Sequence, residues 1–200
     1  MIVYNDVKRQ FVHDVKYNLI ADKILTAVRS KGLNAGYDRE YTSWENSMQF
    51  MRNIVDDPEI DDEVYISIEY NIPLTSKRVD FIIAGADSEG NENIVIVELK
   101  QWQKAEVVSD DMHYCVKTFV ASTDRIVCHP SYQAYSYSCF LKNYSQSITN
   151  ENISLIPCAY LHNYQPEYRQ NLSNPIYQEW YDLAPFFIRN ENQQFSDFVK

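Results

Sequence analysis

Residues Arg78–Trp102 read RVDFIIAGADSEGNENIVIVELKQW. Two apolar runs, VDFII and IVIV, are joined by the polar segment ADSEGNEN. β-branched and aromatic residues suit strands, and clustered Asp, Ser, Gly and Asn suit a turn. Asp80, Glu98 and Lys100 interrupt these runs. Residues two apart in a strand share a face, so Glu98 and Lys100 point one way and Leu99 the other. If the runs are neighbouring strands, Asp80 and Glu98 converge. A buried ionised carboxylate is costly unless compensated, and a second one nearby raises the cost. A hard divalent cation removes both problems, because Mg²⁺ takes a few carboxylates together with waters and phosphate oxygens. A salt-bridge network at a strand end explains the same spacing, and E-x-K alone does not separate the two.

Working outward, residues 6–30 carry Phe11, Val15, Leu19, Ile24, Leu25 and Val28 at helical spacing, predicting one helix. Gly32 and Gly36 break the pattern. In YTSWENSMQFMRNIVDDP, Trp44, Met48, Met51 and Val55 make an amphipathic stripe, with Pro58 beyond its end. EVYISIEYNIP and SKRVDFIIAG predict two strands, and NIVIVELKQW a third; its IVIV core suits a strand covered on both faces. Residues 102–128 read as an irregular connector. HPSYQAYSYSCFLKNY predicts a helix with Pro130 in its first turn and Ala134, Tyr137, Leu141 and Tyr144 on one face. ISLIPCAYL predicts a fourth strand, where Pro157 suits an edge or bulge. Beyond Tyr164 the chain is polar, apart from APFFIRN and a possible final helix. The class is α/β, with a mixed sheet.

The 200 residues are enough for one domain with a real core. No apolar run approaches a membrane span and no signal peptide is visible, so a cytoplasmic protein without membrane contact is expected. The net charge of −10 excludes an indiscriminate polycation. It leaves room for nucleic acid at a local basic groove or through a bound metal. Cys115, Cys128, Cys139 and Cys158 form no CxxC pair and are expected to be reduced core residues. Sixteen tyrosines serve packing more often than base stacking.

Asp80, the turn and Glu98-Leu99-Lys100, set on the order helix-strand-strand-strand-helix-strand, resemble the PD-(D/E)XK nuclease superfamily over Tyr41 to His162. The resemblance implies a restriction-endonuclease-like core, a mixed β-sheet flanked by helices, in one domain over 1–200. The core would span 41–164, between a helical extension at 1–40 and a C-terminal one at 165–200. It implies that Asp80 and Glu98 hold Mg²⁺, with Mn²⁺ able to substitute, that the Leu99 carbonyl joins them, and that Lys100 assists the attacking water. Val79 stands where the family's name has proline, a position held loosely there. Gln133 and Tyr137 reproduce the Q-x-x-x-Y of RecB-like members and share a helix face; by resemblance they contact substrate or organise the metal. Glu45 occupies the place of an acidic metal residue, although Thr42-Ser43-Trp44-Glu45 also fits a capping box. Glu69 is either a further candidate or a solvated strand position. Arg78 and Lys77 would steer a phosphate backbone, and His129 could reach phosphate or metal. His13 and His113 have no motif around them.

SKRVDF, VELKQW, HPSYQAYSY and PCAYLHNY together look like the N-terminal module of a bacterial family in which a nuclease-like domain precedes a superfamily 1-type, Schlafen-like helicase. This implies a nuclease acting on nucleic acid, with DNA the expected substrate and a helicase domain the expected partner, APFFIRN leading toward it. No G-x-x-x-x-G-K-[ST] loop occurs in the chain. The alternative is a catalytically silent nuclease-like module that binds nucleic acid or regulates the helicase. The presence of all three catalytic residue types favours the enzyme.

Overall fold

A computed structural model describes residues 2–32, 37–72, 75, 77–87, 89–144, 148 and 153–200. The chain is α/β, with mixed strand pairing and flanking helices. It divides into two compact units, Met1–Ile94 with Gln193–Lys200, and Val95–Asn192.

The first unit contains β1 (Tyr4–Val7), α1 (Lys8–Lys16), α2 (Ile20–Ser30), α3 (Tyr37–Val55), β2 (Tyr65–Asn71) and β3 (Arg78–Ala86). β1, β2 and β3 form an antiparallel ladder in that order. The expected stripe of α3, Trp44, Met48, Met51 and Val55, is buried, as are Phe11 and Val15 of α1. Phe11 meets Phe81 of β3 edge to face at 5.3 Å. Of residues 1–40, expected as a helical extension, Tyr4–Val7 form a strand paired to β2, so that β1 belongs to this unit's sheet.

The single helix expected over 6–30 is two helices. Asn18 adopts a left-handed φ of 56°, a conformation asparagine tolerates better than most residues, and the chain turns there. Leu19, counted in the apolar stripe, consequently lies 41% exposed at the corner. Asp14 secures the corner from a fully buried position. Its carboxylate accepts from Tyr4 Oη of β1 at 2.9 Å, Gln10 Nε2 of α1 at 2.8 Å and Lys23 Nζ of α2 at 2.6 Å. Burial opposes its ionisation, but these donors outweigh burial and hold its carboxyl below the usual carboxylate range.

α3 begins at Tyr37, so Thr42-Ser43-Trp44-Glu45 lies inside the helix and the capping-box reading fails. Gly85 of β3 marks a close approach, because a Cβ there would sit 2.8 Å from Val64 Cγ1. Gly85→Ala is expected to destabilise this unit by about 1–3 kcal/mol through overpacking, measured as a lowered urea midpoint with an unchanged m-value. An unchanged midpoint would show that Val64 yields freely.

The second unit begins within β4 (Glu92–Lys100), which the division crosses. It continues with β5 (Ala105–Val107), β6 (Cys115–Val120), β7 (Thr123–Cys128), α4 (Pro130–Tyr144), β8 (Ser154–Leu161), α5 (Arg169–Leu172), α6 (Gln178–Leu183) and β9 (Phe186–Ile188). α7 (Asn192–Val199) returns the chain to the first unit. There Phe195 is buried and Ser196 Oγ donates to Ile54 O at the end of α3 at 3.2 Å. β8 lies between β4 and β9 and runs parallel to β9, and α4 packs on β8.

Residues 102–128, expected as an irregular connector, form an antiparallel sheet of β5, β6 and β7. Ala121 and Ser122 both have positive φ, 50° and 65°, as a type I′ hairpin turn requires. That turn is ordinarily signalled by Asn-Gly, which is why this hairpin was illegible. β9 pairs only with Ala159–Leu161 of β8, so Pro157 stands outside that ladder, as a residue lacking an N–H should. APFFIRN, expected to lead toward a partner domain, supplies β9, whose three residues are all buried. Among the described residues no helix is long and apolar enough to cross a membrane.

Candidate active site

The candidate residues fall into two groups, one in each unit. In the second unit, β4 alternates faces, which turns Glu98 and Lys100 together. Glu98 is 2% exposed and Lys100 reaches it with Nζ 2.6 Å from Oε1. α4 presents Gln133 and Tyr137 one turn apart. The Gln133 amide matches the ion pair end for end: Oε1 accepts from Lys100 Nζ at 3.1 Å, and Nε2 donates to Glu98 Oε1 at 2.7 Å. Nε2 also donates to Tyr137 Oη at 2.8 Å. E-x-K and Q-x-x-x-Y, more than thirty residues apart in sequence, thus form one hydrogen-bonded cluster. Trp102 carries its ring 5.3 Å below Lys100 Nζ, a cation–π contact that further fixes the ammonium. Leu99 is half-buried, turned by the pleat to the other face.

His129 departs from expectation. It is fully buried, with its ring 4.7 Å from that of Tyr177. Nδ1 accepts from Ser131 N at 3.2 Å at the start of α4, so Nε2 carries the proton and donates to Leu172 O at 3.1 Å. Both ring nitrogens are used inside the protein, and His129 is a helix cap with no nitrogen for phosphate or metal. Burial pushes its pKa down to about 4. His162, after β8, is likewise buried and depressed to about 4 by desolvation. His13 is half-exposed beside Asp14, and His113 is exposed, stacked on Trp180.

In the first unit, Asp80 is half-buried on β3. The ladder pairs Ile68 with Phe81 and Tyr70 with Val79, which sets Glu69 opposite Asp80. Glu69 has a left-handed φ of 55° and is 8% exposed. Trp44 Nε1 donates to its Oε1 at 2.8 Å and Arg78 Nη1 lies 3.0 Å from its Oε2. Burial, and next the charge of Asp80, push Glu69 up to about 7 against the opposing pull of Arg78 and Trp44. Arg78, expected to steer phosphate, is therefore the counter-ion of Glu69, with Glu40 Oε1 at 3.5 Å on its other nitrogen. Glu45 is exposed on α3; its neighbour Trp44 is the residue aimed at this group.

Sequence reasoning undervalued Glu69. The signal was arithmetic: in a hairpin closing at Asn71 and Arg78, the residue two before the first faces the residue two after the second. Among the described residues no three or more His, Cys, Asp or Glu side chains gather as a ready-made metal centre. The donors on each unit are carboxylates. Glu69, buried, beside Asp80, half-buried, is a repulsive carboxylate pair that a hard divalent cation would relieve, so the donor set fits Mg²⁺ or Mn²⁺ and not a thiolate or imidazole metal.

Set against family models, curated proteins and solved structures, the chain matches none.

Proposed function

We propose that this protein is a Mg²⁺-dependent nuclease that hydrolyses phosphodiester bonds in nucleic acid, with DNA the preferred substrate and Mn²⁺ able to replace Mg²⁺. One observation carries the reading: Lys100 Nζ lies 2.6 Å from Glu98 Oε1 and 3.1 Å from Gln133 Oε1, with Gln133 Nε2 bonded to Glu98 and Tyr137. Two motifs that co-occur in RecB-like nucleases meet in one cluster, and α4 need not have turned Q-x-x-x-Y toward E-x-K merely to pack.

On this reading Glu98 and the Leu99 carbonyl would be metal ligands in the second unit, and Asp80 would be a metal ligand in the first. When bound, the ion supplies Lewis-acid polarisation of the phosphate and charge neutralisation at the leaving oxygen. Lys100 orients the attacking water with an ammonium donor and, by its charge, favours hydroxide character there. Gln133 holds Lys100 and Glu98 at fixed spacing. Gln133→Ala is expected to lower cleavage about 10- to 100-fold, as loss of an outer supporting hydrogen bond does at metal sites, with KM little changed in steady-state assays. A wild-type rate in that variant would remove the positioning role.

The testing experiment incubates the purified protein with linear and circular, single- and double-stranded DNA and RNA, in Mg²⁺, Mn²⁺ or chelator. Metal-dependent cleavage of any of these substrates supports the reading, and DNA cut faster than RNA supports the preference. A second reading rests on the same ion pair: Lys100 neutralises Glu98 internally, as a silent, nuclease-like module that binds nucleic acid beside a helicase would retain it. Retention of DNA on a filter without cleavage in either metal would establish that reading and overturn the first.

A further inference from the structure

Cys115 and Cys128 have no part in the proposed cleavage chemistry. They lie at the open end of the β6–β7 hairpin, and the ladder register pairs them directly, Cys115 with Cys128 and Val116 with Val127. One step outside, His129 N donates to Tyr114 O at 2.8 Å. In an antiparallel ladder hydrogen-bonded and non-hydrogen-bonded pairs alternate. The Tyr114–His129 pair is hydrogen-bonded, so the Cys115–Cys128 pair is of the non-hydrogen-bonded kind. Such a pair brings its Cα atoms to about 4.5 Å and directs both side chains to the same face. A disulfide needs Cα atoms about 4.4–6.8 Å apart, and this position falls at the short end of that range. Both thiols are free and each residue is partly exposed. A small oxidant therefore reaches them. Burial, followed by the neighbouring thiol's charge, pushes the Cys115 thiol up, which fits two sulfurs in close range. The other cysteines differ in setting: Cys158 is wholly buried in β8, and Cys139 sits on α4 beside the Tyr135 hydroxyl.

We infer that Cys115 and Cys128 are a reversible thiol–disulfide modification site, oxidised by a peroxide and reopened by a small thiol. In the forward step one thiolate attacks the peroxide's O–O bond, giving a sulfenic acid and releasing the other oxygen as water after protonation. The facing thiol then attacks that sulfur, the S–S bond forms and a second water leaves. In total two thiols and one hydrogen peroxide become one disulfide and two waters. A thiol of the glutathione class reopens the bridge by exchange through a mixed disulfide. The bridge would tie the start of β6 to the residue that precedes the His129 cap, and hence to the first turn of α4, the helix bearing Gln133 and Tyr137.

The test uses the whole chain with Cys139→Ser, so that each relevant tryptic peptide, Ala105–Lys117 and Ile126–Lys142, holds one cysteine. After brief hydrogen peroxide treatment, the expected result is loss of two thiols per chain, a mass decrease of two hydrogens, and a non-reduced map joining those peptides within one chain. Dithiothreitol or glutathione should restore both thiols. In a Cys115→Ser version of the same protein the link should vanish, with Cys128 gaining oxygen instead. Oxygen addition to both cysteines without a link, linkage to Cys158, or linkage only between chains would overturn the inference. Because no nucleic acid or divalent metal enters the assay, failure here leaves the nuclease reading untouched, and the reverse also holds.

Discussion

Lys100→Ala is expected to reduce metal-dependent cleavage on the order of 10³-fold, within the range by which a positioned proton-handling group accelerates a reaction. The effect should fall on kcat, since the ammonium is assigned to the water rather than to substrate binding. Mn²⁺ binding, followed by calorimetry, should persist in this variant, because the carboxylates remain. Removing the ammonium leaves Glu98, 2% exposed, without the partner 2.6 Å away. Breaking a pair buried on one side costs up to about 3–5 kcal/mol, so the assay belongs at low temperature with circular dichroism confirming the fold. Asp80→Asn supplies the complementary arm. It is nearly isosteric, removes one of two repelling carboxylates and so spares the fold, yet should lose cleavage to a similar degree together with Mn²⁺ affinity. A folded Asp80→Asn or Lys100→Ala protein that cuts at the wild-type rate would eliminate the proposed chemistry.

The second large effect is on stability against acid. His129 and His162 are both depressed to about 4 from an ordinary 6.5, each chiefly by burial. The sign follows from proton counting: between those values the unfolded chain binds protons that the folded chain refuses. Stability therefore rises with pH across the window. It is fully present above about 6.5 and drains away as pH falls toward 4. At 1.36 kcal/mol per pKa unit, each histidine contributes on the order of 3 kcal/mol. Together they can remove a large part of the 5–15 kcal/mol typical of a domain. Urea midpoints at pH 7.5 and 4.5 should differ accordingly, and His129→Gln or His162→Gln should each flatten the slope by about half. Equal midpoints at the two pH values would show that the rings accept protons without unfolding. Carboxylates such as Asp14, held below the usual range, act in a separate window. Their stabilisation is lost only as pH drops through that lower value, below the histidine transition.

The Glu98–Lys100–Gln133–Tyr137 cluster and the proposed Cys115–Cys128 site both lie in the second unit, whereas Asp80 lies in the first. The ion-paired cluster is pre-assembled: Gln133 matches donor to carboxylate and acceptor to ammonium, which would limit the reorganisation left for the proposed cleavage. Glu69 adds a feature outside both motifs. With Trp44 on one oxygen and Arg78 on the other, it is held opposite Asp80 at a backbone angle that glutamate rarely adopts, and such strain concentrates at functional positions.

The local chemistry of the chain was decided by its own residues. The apolar runs around Phe81 and Val97, the α3 stripe from Trp44 to Val55, and Pro130 opening α4 each rest on short-range patterning and backbone restriction, which act identically wherever the segment sits. That Glu98 shares a strand face with Lys100, and Gln133 a helix face with Tyr137, was legible too, because such spacings are geometric constants; that the two pairs meet was implied only by the family resemblance. Tertiary structure alone decided the rest. Ala121-Ser122 carries no turn signature, so only the cross-strand contacts of β6 and β7 drive both residues to positive φ. His129 looks the same in sequence whether it faces solvent or a core; the surroundings supplied by Leu172 and Tyr177, over forty residues downstream, make it a buried cap. Asn18 splits a continuous apolar pattern because Asp14 gathers donors from three elements there. In each case the deciding free energy comes from burial and hydrogen bonding between distant segments, which no local pattern encodes.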